Sequence, residues 1–284
     1  MNKNIIIVTA FIDIGRGNWT GKTGDFKRSA ETYLSYFEKL ATLENEMIIF
    51  TTKEYVAKIK EIRGEKPTVI IEFDIHKKLK YTIKKVQKIL DSVSYQNQIP
   101  LNLRDNPEYK IAEYVVLMNL KYYFMNQVQK IIPKAIDDIL AWVDFGYCRR
   151  HSVLNGATMW NHPFENNFIH LFTLKDSLEI ENEDVMLQKA LNNDFYFIGS
   201  VMVGSVETWK KFYLLTTSLQ KKYLHQNICD DDQGTLLMAF WKQPELFKIH
   251  KIKGWFSVFR KYNKGSKYRT VYWRLKSSIM KLIY

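Results

Sequence analysis

The chain alternates short apolar runs with amphipathic stretches of helical period. Residues 5–12 are apolar almost throughout and end at Asp13, the pattern of a strand covered on both faces. Residues 47–51 and 68–73 repeat the pattern. Between them lie predicted helices over residues 27–43, with Tyr33, Phe37 and Leu40 on one face, and 55–62. This β-α-β-α-β opening predicts a mostly parallel sheet with helices on its faces. Residues 77–90 form an amphipathic helix with a basic outer face. Asn106 and Pro107 mark the start of a helix running to about residue 129, with Asn at the N-cap and Pro in the first turn.

A further buried-type strand over 139–143 ends in Asp144-Phe145-Gly146-Tyr147. Strands over 168–172 and 195–203 and helices over 184–191 and 206–223 follow. A last helix to Trp241 begins at Asp230-Asp231-Asp232-Gln233. No internal repeat or flexible linker interrupts the order. The prediction is one α/β domain over residues 1–255 and a basic aromatic C-terminal helical segment over 256–284.

Composition narrows the class. The 284 residues are 46% hydrophobic and 25% charged, with 12 Gly and 6 Pro, which excludes a disordered or collagenous chain. Cys148 and Cys229 have neither a CxxC nor a metal-ligand spacing, so a disulfide framework and a structural zinc are not expected, and the compartment is read as reducing. The formal charge of +12 is concentrated at one end: after Glu245 there are 11 Lys and Arg and no acidic residue. Taking those 11 from the total of 42 leaves 31 basic against 30 acidic residues in the body. A nucleic-acid-binding protein would fit the terminal segment, where Tyr262, Tyr268, Tyr272 and Trp273 mix with Lys and Arg, but not the neutral body. The segment from Lys248 onward is expected instead to meet an anionic membrane surface, with a terminal helix packed on the domain as the competing reading. The expected location is cytoplasmic, peripheral to the inner face of the cytoplasmic membrane, with no nucleic-acid partner.

Four features carry candidate chemistry. Asp144 follows a buried strand, at the end where open α/β sheets bind ligands, and a carboxylate there can hold a divalent metal that neutralises a diphosphate. The alternative is an Asp capping a turn, with Gly146 supplying a positive φ. The loop Asp13-Ile14-Gly15-Arg16-Gly17 can cradle phosphate oxygens, although it matches neither a dinucleotide fingerprint nor a P-loop. Asp230 and Gln233 have capping-box spacing, leaving Asp231 and Asp232 for a cation or as a general base toward an acceptor hydroxyl. His250 is a metal ligand, a donor to phosphate or structural, and the small residues Gly199 and Ser200 permit close approach of a ligand or of packed backbone.

The order of Thr9-Ala10-Phe11-Ile12-Asp13-Ile14-Gly15-Arg16, Trp142-Val143-Asp144-Phe145-Gly146-Tyr147, Phe197-Ile198-Gly199-Ser200, Asp232-Gln233 and Pro244-Glu245-Leu246-Phe247 resembles the HtrL/YibB family of bacterial surface-polysaccharide proteins. It is also similar to the wider GT-A class of nucleotide-sugar glycosyltransferases. The resemblance implies a GT-A-like, Rossmann-type fold in which Thr9, Ala10 and Phe11 flank the base and Arg16 and Asp13 lie in the donor loop. Asn119 and Lys121 would lie against the donor sugar, and Asp144 would hold a divalent metal, Mn²⁺ or Mg²⁺. Gly146 stands where the family's second metal-binding Asp is expected, so Asp232 or His250 would have to complete the shell. The implied reaction moves a sugar from a UDP-sugar, with UDP-galactofuranose and UDP-hexoses both open, to a lipopolysaccharide or capsule glycan. A catalytically silent nucleotide-sugar binder is the alternative.

Overall fold

The computed structural model describes residues 4–20, 26–133 and 138–263. Seven strands form one sheet: β1 (Ile5–Phe11), β2 (Met47–Thr51), β3 (Thr68–Glu72), β4 (Ile139–Val143), β5 (Ile169–Thr173), β6 (Val201–Ser205) and β7 (Phe247–Lys251), in the order β3-β2-β1-β4-β6-β5-β7. The first four are mutually parallel, β5 and β7 are parallel to each other, and β6 runs antiparallel between β4 and β5. The helices are α1 (Ala30–Leu40), α2 (Lys53–Arg63), α3 (Ile75–Leu90), α4 (Val93–Gln96), α5 (Pro107–Lys110), α6 (Ala112–Ile131), α7 (Glu183–Leu191), α8 (Val206–His225), α9 (Asp232–Lys242) and α10 (Val258–Lys261). The protein is thus α/β with a mostly parallel sheet covered by helices, as its apolar periodicity predicts.

Alternation along the strands explains the two faces. Ile6, Val8, Phe50, Leu140 and Met202 point to the layer of α3, α6, α8 and α9, whereas Ile5, Ile7, Ile49, Ala141 and Val203 point to α1, α2 and the chain around Trp160 and Phe259. Both faces of β1, β2 and β4 are covered, which is why these strands read as almost continuous apolar runs. The outer strands differ: β3 is only half-buried, and β7 alternates Phe247, Ile249 and Lys251 with Lys248 and His250. Basic residues on an edge discourage pairing with a second sheet. They also conceal the strand from a hydropathy reading.

Three predicted elements differ in the structure. The single helix expected over 107–129 is broken at Ile111, which is extended at φ −121° and ψ 105°. The Gln87 side chain patches the break, accepting from Ala112 N–H at 3.2 Å and donating to the Lys110 carbonyl at 3.3 Å. The strand expected from residue 195 begins only at Val201; before it the chain turns, held by Ile198 N–H to the Phe172 carbonyl at 2.9 Å and by the Thr173 hydroxyl to the Tyr196 carbonyl at 2.6 Å. The boundary drawn after residue 255 cuts through packed chain, because Val258, Phe259 and Tyr262 are buried in the domain. Lys248 and Lys251, assigned from sequence to a membrane-facing segment, are ion-paired with Glu165 and Asp176. The remainder of that segment, 264–284, lies outside the described residues. No helix among the described residues is long and apolar enough to cross a membrane.

Arg63, at the end of α2, shows how the parallel half is fastened. Its side chain is buried and all its donors are used: Nε to Thr68 Oγ1 at 2.8 Å, Nη1 to the carbonyls of Ala41 and Leu43 at 2.9 and 2.8 Å, and Nη2 to those of Asn45 and Pro67 at 2.9 and 3.1 Å. Burial lowers its pKa to about 10, so it remains a cation at neutral pH. One guanidinium therefore satisfies four carbonyls of the turns that precede β2 and β3. Arg63→Met leaves the carbonyls of Ala41, Leu43 and Asn45 buried without this donor, Pro67 keeping the Met47 N–H, and is expected to cost about 3 kcal/mol, read as a lowered urea midpoint.

Candidate active site

A cleft of about 410 Å³ opens at the carboxyl ends of β1 and β4. Strands β2 and β3 extend the sheet on one side of β1 and β4 on the other, so the cleft lies where the strand order reverses. The two strand-end loops are joined by aromatic stacking. Phe11, the last residue of β1, stacks on Phe145 at 4.9 Å, and Phe145 stacks in turn on Phe37 of α1 at 4.2 Å. Asp13 orders the first loop by accepting from Gly15 N–H at 2.8 Å and from the Tyr55 hydroxyl at 3.2 Å. Gly15 sits at φ 75°, where a side chain would be strained.

Arg16 lies on this loop with its guanidinium among Trp19, Tyr33 and Tyr114, at 5.0, 5.7 and 5.5 Å from the ring centres. It donates to the Tyr33 hydroxyl at 2.6 Å and to the Phe26 carbonyl at 2.9 Å, while its Nε is buried with no partner. Arg28 and Arg149 also line the cleft, Arg149 over the rings of Tyr36 and Phe256. The walls are thus cationic groups laid on aromatic faces.

The floor is organised by Lys121 of α6, which is buried. Its ammonium donates to Asp232 Oδ2 at 2.6 Å and to the Gly199 carbonyl at 2.9 Å, and lies 3.7 Å from Asp144 Oδ1. The Trp142 ring lies 5.6 Å from it, and the indole N–H donates to Asp144 Oδ1 at 2.7 Å. Burial alone would lower the Lys121 pKa, but Asp144 and Asp232 outweigh it and the net shift is upward, so the group is held protonated. The Asp144 side chain is 40% exposed and open to the cleft; that of Asp232 is 6% exposed.

The acidic run resolves into three separate roles. Asp231, not Asp230, is the N-cap of α9, accepting from Gln233 N–H at 2.8 Å. Asp230 accepts from Asp231 N–H at 2.8 Å, and Asp232 binds Lys121. The capping-box reading of Asp230 with Gln233 is therefore corrected. Asp232, expected as a base facing the cleft, does line the cleft, with its carboxylate buried and paired to Lys121. Asp231 does not line the cleft but a small pocket beside Asn193 and Phe195. Burial first, and the neighbouring carboxylates second, push Asp230 and Asp231 well above the usual carboxylate range.

Of the other predicted positions, Ala10, Phe11, Asp13, Arg16, Lys121, Asp144, Gly146, Gly199, Ser200 and Gln233 all line the cleft. Thr9 does not; it is fully buried in β1. Asn119 lines a separate, mainly apolar cavity of about 250 Å³ on the far side of α6 and is tied to the Asp230 carbonyl at 2.8 Å. Gly146 is not at positive φ; a Cβ there would lie 3.0 Å from the Tyr33 ring, so space is what the position requires. Two cleft side chains, Ser200 and Gln233, have buried oxygens with no partner, as does the nitrogen of Arg16. Sequence reasoning missed Arg28, Arg149, Tyr33 and Trp142. Trp142 was readable, because it lies two residues before Asp144 and strand alternation turns both to one face.

A metal shared by Asp144 and His250 does not fit. His250 is on β7, three strands from β4, against Phe172 and Tyr262. Its Nε2 is 2.8 Å from His170 Nδ1, and His170 Nε2 is 2.8 Å from the Glu165 carbonyl. A carbonyl only accepts, so His170 carries its proton on Nε2 and His250 Nε2–H donates to His170 Nδ1. Burial lowers the pKa of both rings, which favours their neutral forms. Among the described residues no three His, Cys, Asp or Glu are grouped to hold a metal ion.

These features define an α/β protein with a polar, aromatic-walled cleft at the carboxyl end of a mostly parallel sheet. The chain belongs to the HtrL_YibB family, described as a bacterial protein of unknown function, whose model matches residues 3–264. It is similar to Protein HtrL of Escherichia coli (strain K12), 41% identical over 266 residues, which span 92% of this chain and 93% of that protein. Among solved structures it is similar to mouse xyloside xylosyltransferase 1 in its apo form, at 12% identity and a TM-score of 0.41, with 91% of this chain and 93% of that chain covered.

Two outcomes are expected from this geometry. A Cβ at Gly199 would lie 2.1 Å from Asp232 Oδ2, so Gly199→Ala must push the carboxylate off Lys121 and is expected to cost about 2–4 kcal/mol in urea unfolding. Ser200→Ala, which removes a hydroxyl that has no partner, should stay within about 0.5 kcal/mol of the parent. The second outcome concerns acid. Burial, then His170, lowers the His250 pKa from 6.5 to about 4, and burial lowers that of His170. Between those pH values these two histidines bind more protons in the unfolded chain than in the folded one, so their contribution to stability should fall as pH drops from 6.5 through 4, against the opposite contribution of Asp230 and Asp231, whose raised pKa values favour the folded chain in acid. Melting temperatures across this range should show a shallower slope in His250→Phe.

Proposed function

We propose that the cleft binds a nucleotide-diphosphate sugar and transfers its sugar to a glycan or glycolipid hydroxyl, with UDP-sugars the first choice. The observation that supports this best is that Arg16 and Arg149, laid on aromatic rings, line with Arg28 and Asp144 one cleft at the point where the strand order reverses. Guanidinium groups pair with phosphate oxygens in two-pronged fashion, and aromatic faces suit a base or a sugar ring. The orphaned polar atoms of Arg16, Ser200 and Gln233 are positions a bound ligand would satisfy.

In the transfer, the bond from the anomeric carbon to the diphosphate oxygen breaks and its electron pair leaves on that oxygen. The acceptor hydroxyl oxygen forms the new bond, and its proton passes to a carboxylate. Asp144 takes that role, since its side chain is exposed to the cleft whereas that of Asp232 is buried against Lys121. The arginines stabilise the charge that develops on the departing diphosphate.

A panel of nucleotide sugars in a thermal-shift assay tests the reading. A ligand at a hundred times its Kd stabilises the native state by about 2.7 kcal/mol, on the order of 5 °C for a chain of this size. UDP-sugars are expected to give such a shift and to yield free UDP when an acceptor glycan is present. Asp144→Ala should lose transfer while keeping wild-type circular dichroism. Retained turnover in that variant removes Asp144 from the mechanism, and no shift from any member of the panel removes the nucleotide-sugar reading.

A further inference from the structure

We propose that Lys121 is the fixed cation of this cleft, occupying the position between Asp144 and Asp232 where a divalent metal would otherwise be held, so that the site takes a nucleoside diphosphate without a metal ion. The inference rests on the nucleotide-sugar reading and specifies how that site handles phosphate charge.

A divalent ion on a protein needs carboxylate oxygens that are free to approach it to about 2.0–2.6 Å. Here the oxygens nearest the candidate position are already engaged. Asp232 Oδ2 accepts from the Lys121 ammonium at 2.6 Å, and Asp144 Oδ1 accepts from the Trp142 indole at 2.7 Å with the ammonium 3.7 Å away. The Gly199 carbonyl, a further oxygen at this point, accepts from the same ammonium at 2.9 Å. The backbone at Gly199 comes so close that even a methyl group would strike Asp232. Lys121 is the cation these groups are built around, and the residue two places after Asp144, Gly146, offers no ligand to replace it.

The charges support the assignment. A divalent metal between two carboxylates would leave the floor neutral, whereas a single ammonium leaves it with a net negative charge. The compensating cations are present on the walls as Arg16, Arg28 and Arg149, and none of these three makes a described ion pair with a carboxylate. Phosphate charge would therefore be shared between one buried ammonium and a set of guanidinium groups. Arginine keeps its proton throughout the working pH range and needs no metal to bind phosphate.

Two measurements on the full chain test this. The first titrates Mn²⁺ alone and follows the free-ion electron paramagnetic resonance signal. Wild type is expected to leave that signal intact, and uptake of one Mn²⁺ that Asp144→Asn abolishes overturns the proposal. The second measures UDP binding by calorimetry, once in EDTA and once with Mn²⁺. Equal affinity in the two buffers supports the proposal, and binding that appears only with Mn²⁺ overturns it. Binding in neither buffer counts against the nucleotide reading and leaves the Mn²⁺ titration to decide the cation. Lys121→Met combined with Asp232→Asn removes both partners of the pair, so neither charge is left stranded in a variant that fails to fold. It is expected to be folded and to bind UDP at least tenfold more weakly in EDTA; unchanged affinity overturns the proposal.

Discussion

Taking an ammonium and a carboxylate out of water costs several kcal/mol for each ion, and only close pairing with further hydrogen bonds recovers it. Lys121 meets this condition with Asp232, the Gly199 carbonyl and Asp144 around one nitrogen. Each partner comes from a different part of the chain: α6, the turn before β6, the start of α9 and the end of β4. Removing one partner of such a pair typically costs about 3–5 kcal/mol, because the remaining charge stays buried. The shape of the cleft floor therefore follows from a single charge that cannot be moved without unmaking the packing around it.

The rest of the site is arranged about that point by sheet geometry. The reversal of strand order between β1 and β4 parts the loops that follow them, and the Phe11–Phe145 stack fixes how far they part. Side-chain alternation then separates the roles. In β4, Trp142 turns toward the layer of α6 and reaches Asp144, while Ala141 and Val143 pack on the α1 side. The chain thus presents a cation, a carboxylate and a set of arginines within one opening, on scaffolding that is almost wholly apolar.

Much of this was legible in the amino-acid order. Strands β1, β2 and β4 were legible because they are buried on both faces and so are apolar at every position but Thr9 and Thr51. Strand β7 was not, because it is an edge strand on which Ile249 and Lys251 are exposed while Lys248 and His250 are half-buried, so polar and apolar residues do not separate by face. Asp144 and the Asp13–Arg16 loop were legible because strand ends are where α/β sheets place polar chemistry. The pairing of Asp232 was not legible, since its partner Lys121 lies more than a hundred residues earlier and no local pattern joins them. The same limit applied to His250, whose partner His170 sits on a different strand.

The sheet order also bears on how the chain reaches its native form. Strands β1, β2 and β3 are joined by consecutive short crossovers, whereas β1 meets β4 only when Ile5 pairs with Ile139. Closing a loop of that length forfeits more chain entropy than the local pairings do, and long-range pairings of this kind slow folding. The opening that holds Lys121 and Asp144 straddles this junction. No segment of the polypeptide contains the pocket by itself, and it comes into existence only when the amino-terminal strands and the later half of the chain have docked.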